Sequence, residues 1–484
     1  MSNVTRWITF VAILSSRRPL PAADWPQFRG PNGAGVAEGA MDLPVEFGPE
    51  KNAVWSTALP AGMSSPVVAG SRIYLTGLRE KDLVTIALDR ATGKLLWEKP
   101  APAERIEETH DTSSPAVSTP ASDGERVVVF FGSYGLLCYE PDGRDLWRMP
   151  LGPFKNPFGQ SSSPVIAGEL VILNCDQDLG SFLLAVEKTS GRERWRSERP
   201  EFPRGFSTPI LWDTDGTRQL VVAGTVWIKG YDIETGRELW SKGGLARIVN
   251  PTPVLGGGLL YMASFSPGGD PGERVSMQPF EEYAKANDTD KNGRFTQEEV
   301  TEPAMKQRFL QIDADKDGFI TRAEWENMAR IFDGAKNSII ALRRESPGSA
   351  AMSVAWTYER AIPYVPTPVY HEGHLYMVKD GGIFTALDAR TGKVEKQGRL
   401  PAEGSYYASP VIGGGNLYVS SLGGQVVVVS ASGPDWQVRA TNDLGDRIAA
   451  TPAIADGRLL VRTEKRLFAF AAPKPDKKPE GASR

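Results

Sequence analysis

Cysteine is close to absent. Cys138 and Cys175 are the only two in 484 residues, which excludes a disulfide framework, a CxxC metal pair and a haem-attachment motif. Histidine is as scarce: His110, His371 and His374 are all there is, too few for a convincing Ser-His-Asp hydrolase. His371 and His374 flank a strand turn, Tyr370-His-Glu-Gly-His374, and read as solvated turn residues with no third zinc ligand nearby. An excess of one charge sign is missing too, the net being −4, so nucleic acid and anionic membrane surfaces are not expected partners. No apolar run reaches the roughly 20 residues of a transmembrane helix. No cysteine near the N-terminus could carry a lipid anchor. The longest apolar stretch, Trp7 to Leu14, follows Arg6 and precedes the small residues Pro21-Ala22-Ala23. It reads as a signal peptide over residues 1–23, which makes the protein periplasmic or secreted.

What is present is turn chemistry. Fifty glycines and 37 prolines in a chain with 40% hydrophobic residues imply many short strands around a packed core. A repeat organises them: Ser or Thr, Pro, two apolar residues, a Gly-containing turn and an apolar strand. It begins at Ser65-Pro66, Ser114-Pro115, Ser163-Pro164, Thr208-Pro209, Thr252-Pro253, Thr367-Pro368, Ser409-Pro410 and Thr451-Pro452. The period is about 45 residues, broken once by about 70 extra, and one period suits one four-stranded propeller blade. Each second half carries an Asp-x-x-Thr-Gly hairpin and a Trp strand, fullest in Ile86-Ala-Leu-Asp-Arg-Ala-Thr-Gly-Lys-Leu-Leu-Trp97. The last unit lacks its outer strand and the first is preceded by a spare one, Ala53 to Thr57, so the N-terminal strand is expected to close the ring. The tryptophans are expected to wedge between blades.

The Ala-x-Asp-x-x-Thr-Gly-Lys-x-x-Trp spacing resembles the repeat of pyrroloquinoline-quinone (PQQ) dehydrogenases and of the related lipoprotein of the outer-membrane β-barrel assembly machinery. The opening Asp24-Trp-Pro-Gln-Phe-Arg-Gly-Pro31 resembles the start of many bacterial propellers of this family. The resemblance implies an all-β, quinoprotein-like eight-bladed propeller. Its expected parts are residues 24–263 and 338–471, an insertion at 264–337 in blade five, and a disordered Pro- and Lys-rich tail at 472–484.

Inside the insertion the strand grammar stops and two twelve-residue acidic loops appear. Asp288, Asp290, Asn292, Gly293 and Glu299 fill positions 1, 3, 5, 6 and 12 of one EF-hand, and Asp313, Asp315, Asp317, Gly318 and Glu324 those of another. That spacing surrounds Ca²⁺ with oxygens, the Gly making the sharp turn and the Glu closing the shell with two oxygens. Arg294 and Phe319 would lend backbone carbonyls. Phe295 and Ile320 should pair across a short bridge, with helices expected at 279–286, 303–311 and 322–331.

No catalytic residue is assigned. The family's enzymes often use adjacent cysteines and a Trp platform against the quinone, and here the two cysteines lie in different blades. The primary expectation is a binding or scaffolding propeller, with a PQQ-dependent dehydrogenase of the alcohol dehydrogenase type as the alternative. The links leading into the innermost strands place His110, Asp111, Lys155, Gln160, Arg204, Arg247, Asn250, Tyr364, Tyr406 and Arg447 around the channel mouth. Several are cationic, which suggests a small anionic ligand or a protein partner there.

Overall fold

The computed structural model describes residues 24–473 apart from 40, 215–216, 271–275, 347–348 and 350. The expected leader at 1–23 and all but the first two residues of the expected tail lie outside the described residues. Eight four-stranded antiparallel sheets follow one another around a ring. We letter the strands of each A to D from the axis outward. Blade one is Val67–Ala69, Arg72–Arg79, Asp82–Asp89 and Leu95–Pro100. In blade eight, strands A to C are Ala453–Ala455, Arg458–Arg462 and Arg466–Ala471, and strand D is the N-terminal Ala53–Ala58. The N-terminal strand thus gives blade eight its fourth strand, and the ring leaves only the short outer edges of strands D.

Middle strands are apolar on both faces because each blade is stacked between two others. Val127–Phe131 and Gly135–Tyr139 of blade two are buried at every residue, whereas the outer Asp145–Pro150 buries Trp147 alone. All eight C–D pairings shift register once, as where Ala87 faces Trp97 but Leu88 faces Leu95, leaving Leu96 as the extra residue. A bulge of this kind re-aims the side chain that follows it. Here it turns a tryptophan toward the next blade: the Nε1–H of Trp97, Trp147, Trp195 and Trp356 donates to the carbonyls of Pro141, Lys188, Ile233 and Ala389 at 2.9–3.0 Å. The indole lies on the turn glycine it meets. At Gly143, whose φ is +92°, a Cβ would come within 2.9 Å of the Trp97 ring, so glycine is needed there both for its backbone and for lack of a side chain.

The repeat leading into blade two is not Ser114-Pro115. Strand A of that blade is Ala121–Ser122, preceded by Thr119-Pro120. Ser114 instead makes a local turn, its Oγ accepting from the Ala116 N–H at 3.1 Å.

Blade five is interrupted between strands B and C, Leu259–Ser264 and Ser338–Arg344, which still pair directly, Ser264 opposite Ser338. The intervening chain forms helices α1 (Phe280–Asn287), α2 (Pro303–Lys306), α3 (Phe309–Ile312) and α4 (Arg322–Gly334), with a two-residue bridge between the loops. A single helix was expected over 303–311. It breaks at Arg308, whose φ of −105° and ψ of 9° leave the helical region. Helix α4 starts with a capping box between Thr321 and Glu324.

Candidate functional site

Each link into a strand A ends in a hydroxyl residue followed by Pro. The residue before a proline is held extended, and its N–H points to the neighbouring blade. Ser65 N donates to Thr119 Oγ1 at 2.9 Å, Thr119 N to Ser163 Oγ at 3.0 Å and Ser163 N to Thr208 Oγ1 at 3.1 Å. The chain of bonds resumes from Thr252 through Thr367, Ser409 and Thr451, and returns to Ser65 Oγ at 3.1 Å. The Ser/Thr-Pro signature is therefore a circumferential clasp.

This clasp surrounds an axial cavity of about 180 Å³. The end on the A–B turn side is crossed by the segment after Asp24. Trp25 pairs with Val68 of blade one, Ser122 N donates to Pro26 O, Asn32 exchanges two hydrogen bonds with Leu211 of blade four, and Val36 bridges to Ile412 of blade seven. Phe28, at the middle of the segment, lines the cavity. Arg29 beside it is fully buried, donating to the carbonyls of Gly33, Ala34, Thr367, Pro368 and Pro410 at 2.8–3.4 Å. The walls carry hydroxyls and the rings of Phe158, Phe206, Tyr364 and Tyr407, with no charged side chain among the lining residues.

The ten residues placed at the mouth from sequence separate here. Asn250 and Tyr364 line the cavity, and Asn250 Nδ2 donates to the Tyr364 carbonyl at 3.1 Å. Tyr406 is buried with its hydroxyl on the Ala402 carbonyl, and the adjacent Tyr407 takes the lining position. Gln160 is buried and bonds the Asp176 carbonyl at 3.0 Å. Arg204 is held by Asp178 at 2.5 Å, and Arg247 donates to Gln311 at 3.1 Å. His110 and Lys155 are exposed, and Asp111 with Arg447 lines a separate pocket between blades eight and one.

With this geometry in hand, the relatives become informative. Residues 48–156 match the family model described as outer membrane protein assembly factor BamB. BamB from Moraxella catarrhalis is similar over 87% of this chain and 97% of its own, with 13% identity and a TM-score of 0.56. Quinohemoprotein alcohol dehydrogenase from Comamonas testosteroni is similar over 95% of this chain and 83% of its own, with 12% identity and a TM-score of 0.58. The fold is a quinoprotein-type propeller. No curated protein sequence matches the chain.

Such a propeller raises the question of its quinone. PQQ is a polycarboxylate, and the axial cavity offers it no cation. Cys138 and Cys175 are both buried and unpaired. The residues present do not fit that cofactor.

The acidic loops do converge. Ligand oxygens of Asp288, Asp290 and Glu299 lie within 4.8 Å of one another, as do those of Asp313, Asp315 and Asp317. Glu299 accepts from the N–H groups of Thr296 and Thr289 at 3.0 and 2.9 Å, and these bonds hold its carboxyl down at about 2. Glu324 accepts in the same way from Thr321 and Ala314 at 2.8 Å. Asp313 Oδ1 is buried without a hydrogen-bond partner, an oxygen that suits a cation. The bridge pairs Phe295 with Ile320. Arg294 and Phe319, one from each loop, stack, guanidinium over ring at 3.6 Å.

The module is seated on blade four. Its core of Phe280, Tyr283, Phe295, Ile320 and Trp325 takes in Val226 of that blade's B–C loop and packs against Trp227, the first residue of strand C. Arg247 lies over the Phe332 ring, and Lys316 stands 3.9 Å from Asp178 of blade three. A cleft of about 630 Å³ separates module from propeller. None of the axial cavity's lining residues belongs to the module, so it stands beside the mouth.

Sequence reasoning passed over Glu107. It lies on the link between blades one and two, packed against Gly132, with neither carboxylate oxygen hydrogen-bonded. Burial pushes its pKa up to about 7. A carboxyl raised on folding stabilises below its unfolded value and loses that contribution as pH rises through its folded one. Stability should therefore fall by up to about 3 kcal/mol between pH 4.5 and 8. Urea midpoints of wild type and Glu107→Gln, measured at pH 5 and pH 8, check this: the variant should be the more stable at pH 8, and equal pH slopes would refute the assignment.

Proposed function

We propose that this protein is an exported calcium-binding propeller that serves as a binding or scaffolding module through the face carrying the inter-blade links. The seating of the insertion carries this reading. Two convergent acidic loops share a hydrophobic core with blade four, so a cation that stiffens the loops also stiffens the seat of the module beside the cavity mouth. Asp288, Asp290, Asn292 and Glu299 with the Arg294 carbonyl would form one shell. Asp313, Asp315, Asp317 and Glu324 with the Phe319 carbonyl would form the other. The neutral, hydroxyl- and ring-lined cavity suits an uncharged polar or aromatic group, and similarity to an outer-membrane assembly factor supports a protein partner. Off the axis, the cation Arg447 lines the separate pocket between blades eight and one.

Calorimetric titration of the full chain with calcium chloride should reveal two sites of about 0.1–1 mM, the range of extracellular modules. The second loop should bind more tightly, since Asp317 supplies a charge where the first loop has Asn292. Glu324→Gln should weaken that tighter site at least tenfold and leave the other intact. An unchanged isotherm would remove the calcium assignment.

A further inference from the structure

Among the described residues three arginines are wholly buried, and two of them, Arg29 and Arg462, have no carboxylate to offset the charge. Arg199 faces Asp176 and Arg29 is ringed by carbonyls. Arg462, at the end of strand B of blade eight, donates Nη1 to Ser64 O at 3.0 Å and Ser64 Oγ at 2.6 Å, and Nη2 to Pro60 O at 3.3 Å. Its Nε–H has no acceptor. Burial with nothing to offset it pulls the pKa down to about 9, so the group is still cationic at neutral pH. Taking a charge out of water in this way is costly unless an opposite charge arrives.

Arg462 lines the pocket of about 240 Å³ between blades eight and one. The half-buried Arg447 lines it too, with the hydroxyls of Ser113 and Thr463, while Asp111 and Glu464 are exposed. The titratable lining thus balances, with the cations more deeply placed than the acids.

We propose that this pocket binds a small free amino acid, its carboxylate received by Arg462 and Arg447 and its ammonium group favoured by Asp111 and Glu464. Guanidinium groups match a planar carboxylate geometrically. A zwitterion brings no net charge into a balanced pocket, whereas a phosphate dianion would meet the two acids on its way in. The proposal shares the link face with the reading above but needs neither calcium nor the axial cavity.

Calorimetry on the full chain, with alanine, alaninamide, propionate and inorganic phosphate as probes, tests it. Alanine should saturate at a Kd on the order of 1 mM, propionate should bind more weakly, and alaninamide and phosphate should not bind. Arg447→Gln, a change at a half-buried position that should spare folding, is expected to weaken alanine at least tenfold. Arg462→Met should abolish its binding. A calcium isotherm on the same samples keeps this outcome separate from that of the calcium assignment. The proposal is overturned if alaninamide binds as well as alanine, if phosphate binds and alanine does not, if Arg447→Gln leaves alanine affinity unchanged, or if alanine never saturates.

Discussion

Arg29→Met should cost about 4 kcal/mol of stability, one of the two largest losses expected from a single change in this chain. The guanidinium satisfies carbonyls from two distant blades at once, through Thr367 and Pro368 of blade six and Pro410 of blade seven. Methionine fills similar volume and donates nothing, so several buried acceptors lose a charge-assisted partner, each at roughly 1–3 kcal/mol before relaxation. Arg29→Lys should recover part of the loss, because an ammonium group keeps the charge but cannot fan out to five acceptors. Chemical denaturation of the three proteins decides the matter. A methionine variant within about 1 kcal/mol of wild type would mean that the crossing segment adds nothing to the ring.

Arg199→Leu should be comparably severe. Asp176 and Arg199 are both buried, Nε to Oδ1 at 2.8 Å and Nη2 to Oδ2 at 3.0 Å, with Tyr231 hydroxyl on the remaining arm and the guanidinium over the Phe202 ring at 3.9 Å. Burial pushes the Asp176 carboxyl up, and the Arg199 charge pulls it back. Removing the arginine leaves burial unopposed, and losses of about 3–5 kcal/mol are usual when one member of a buried pair is taken away. The sign of the pH dependence follows. A carboxyl whose folded pKa is raised is best tolerated when protonated, so the variant's deficit should shrink as pH falls. The double variant Asp176→Asn, Arg199→Leu should recover at least about 2 kcal/mol of the loss at pH 7. Denaturation midpoints of the single and double variants at pH 5 and 7 test both points. A double variant no better than the single one would mean that the uncompensated carboxylate is not what destabilises.

The propeller was legible because its signals are local and repeated. An Asp-x-x-Thr-Gly hairpin needs no distant partner to be recognised, and the two acidic loops gather their carboxylates from within twelve residues each. Errors arose where the deciding contact is remote. Ser114-Pro115 and Thr119-Pro120 look alike in sequence, and only the bond between Thr119 Oγ1 and the Ser65 N–H selects the second. The mouth residues were assigned to the correct links, but which way a link side chain turns is set by its neighbours. Arg204 turns to Asp178, and Tyr407 rather than Tyr406 faces the cavity. The crossing segment was invisible for the same reason, since the carbonyls of blades six and seven that bind Arg29 lie more than 300 residues along the chain.

That remoteness also sets a timetable for biogenesis. Strand D of blade eight is translated ahead of every other blade strand, and its sheet partner among the described residues, Arg466–Ala471, after all of them. Until the ribosome has released Arg466–Ala471, the early strand lacks its partner, and joining the two means closing a loop that contains every blade. Nascent chains stalled short of residue 466 would therefore expose two unsatisfied sheet edges, a form prone to chaperone capture or self-association.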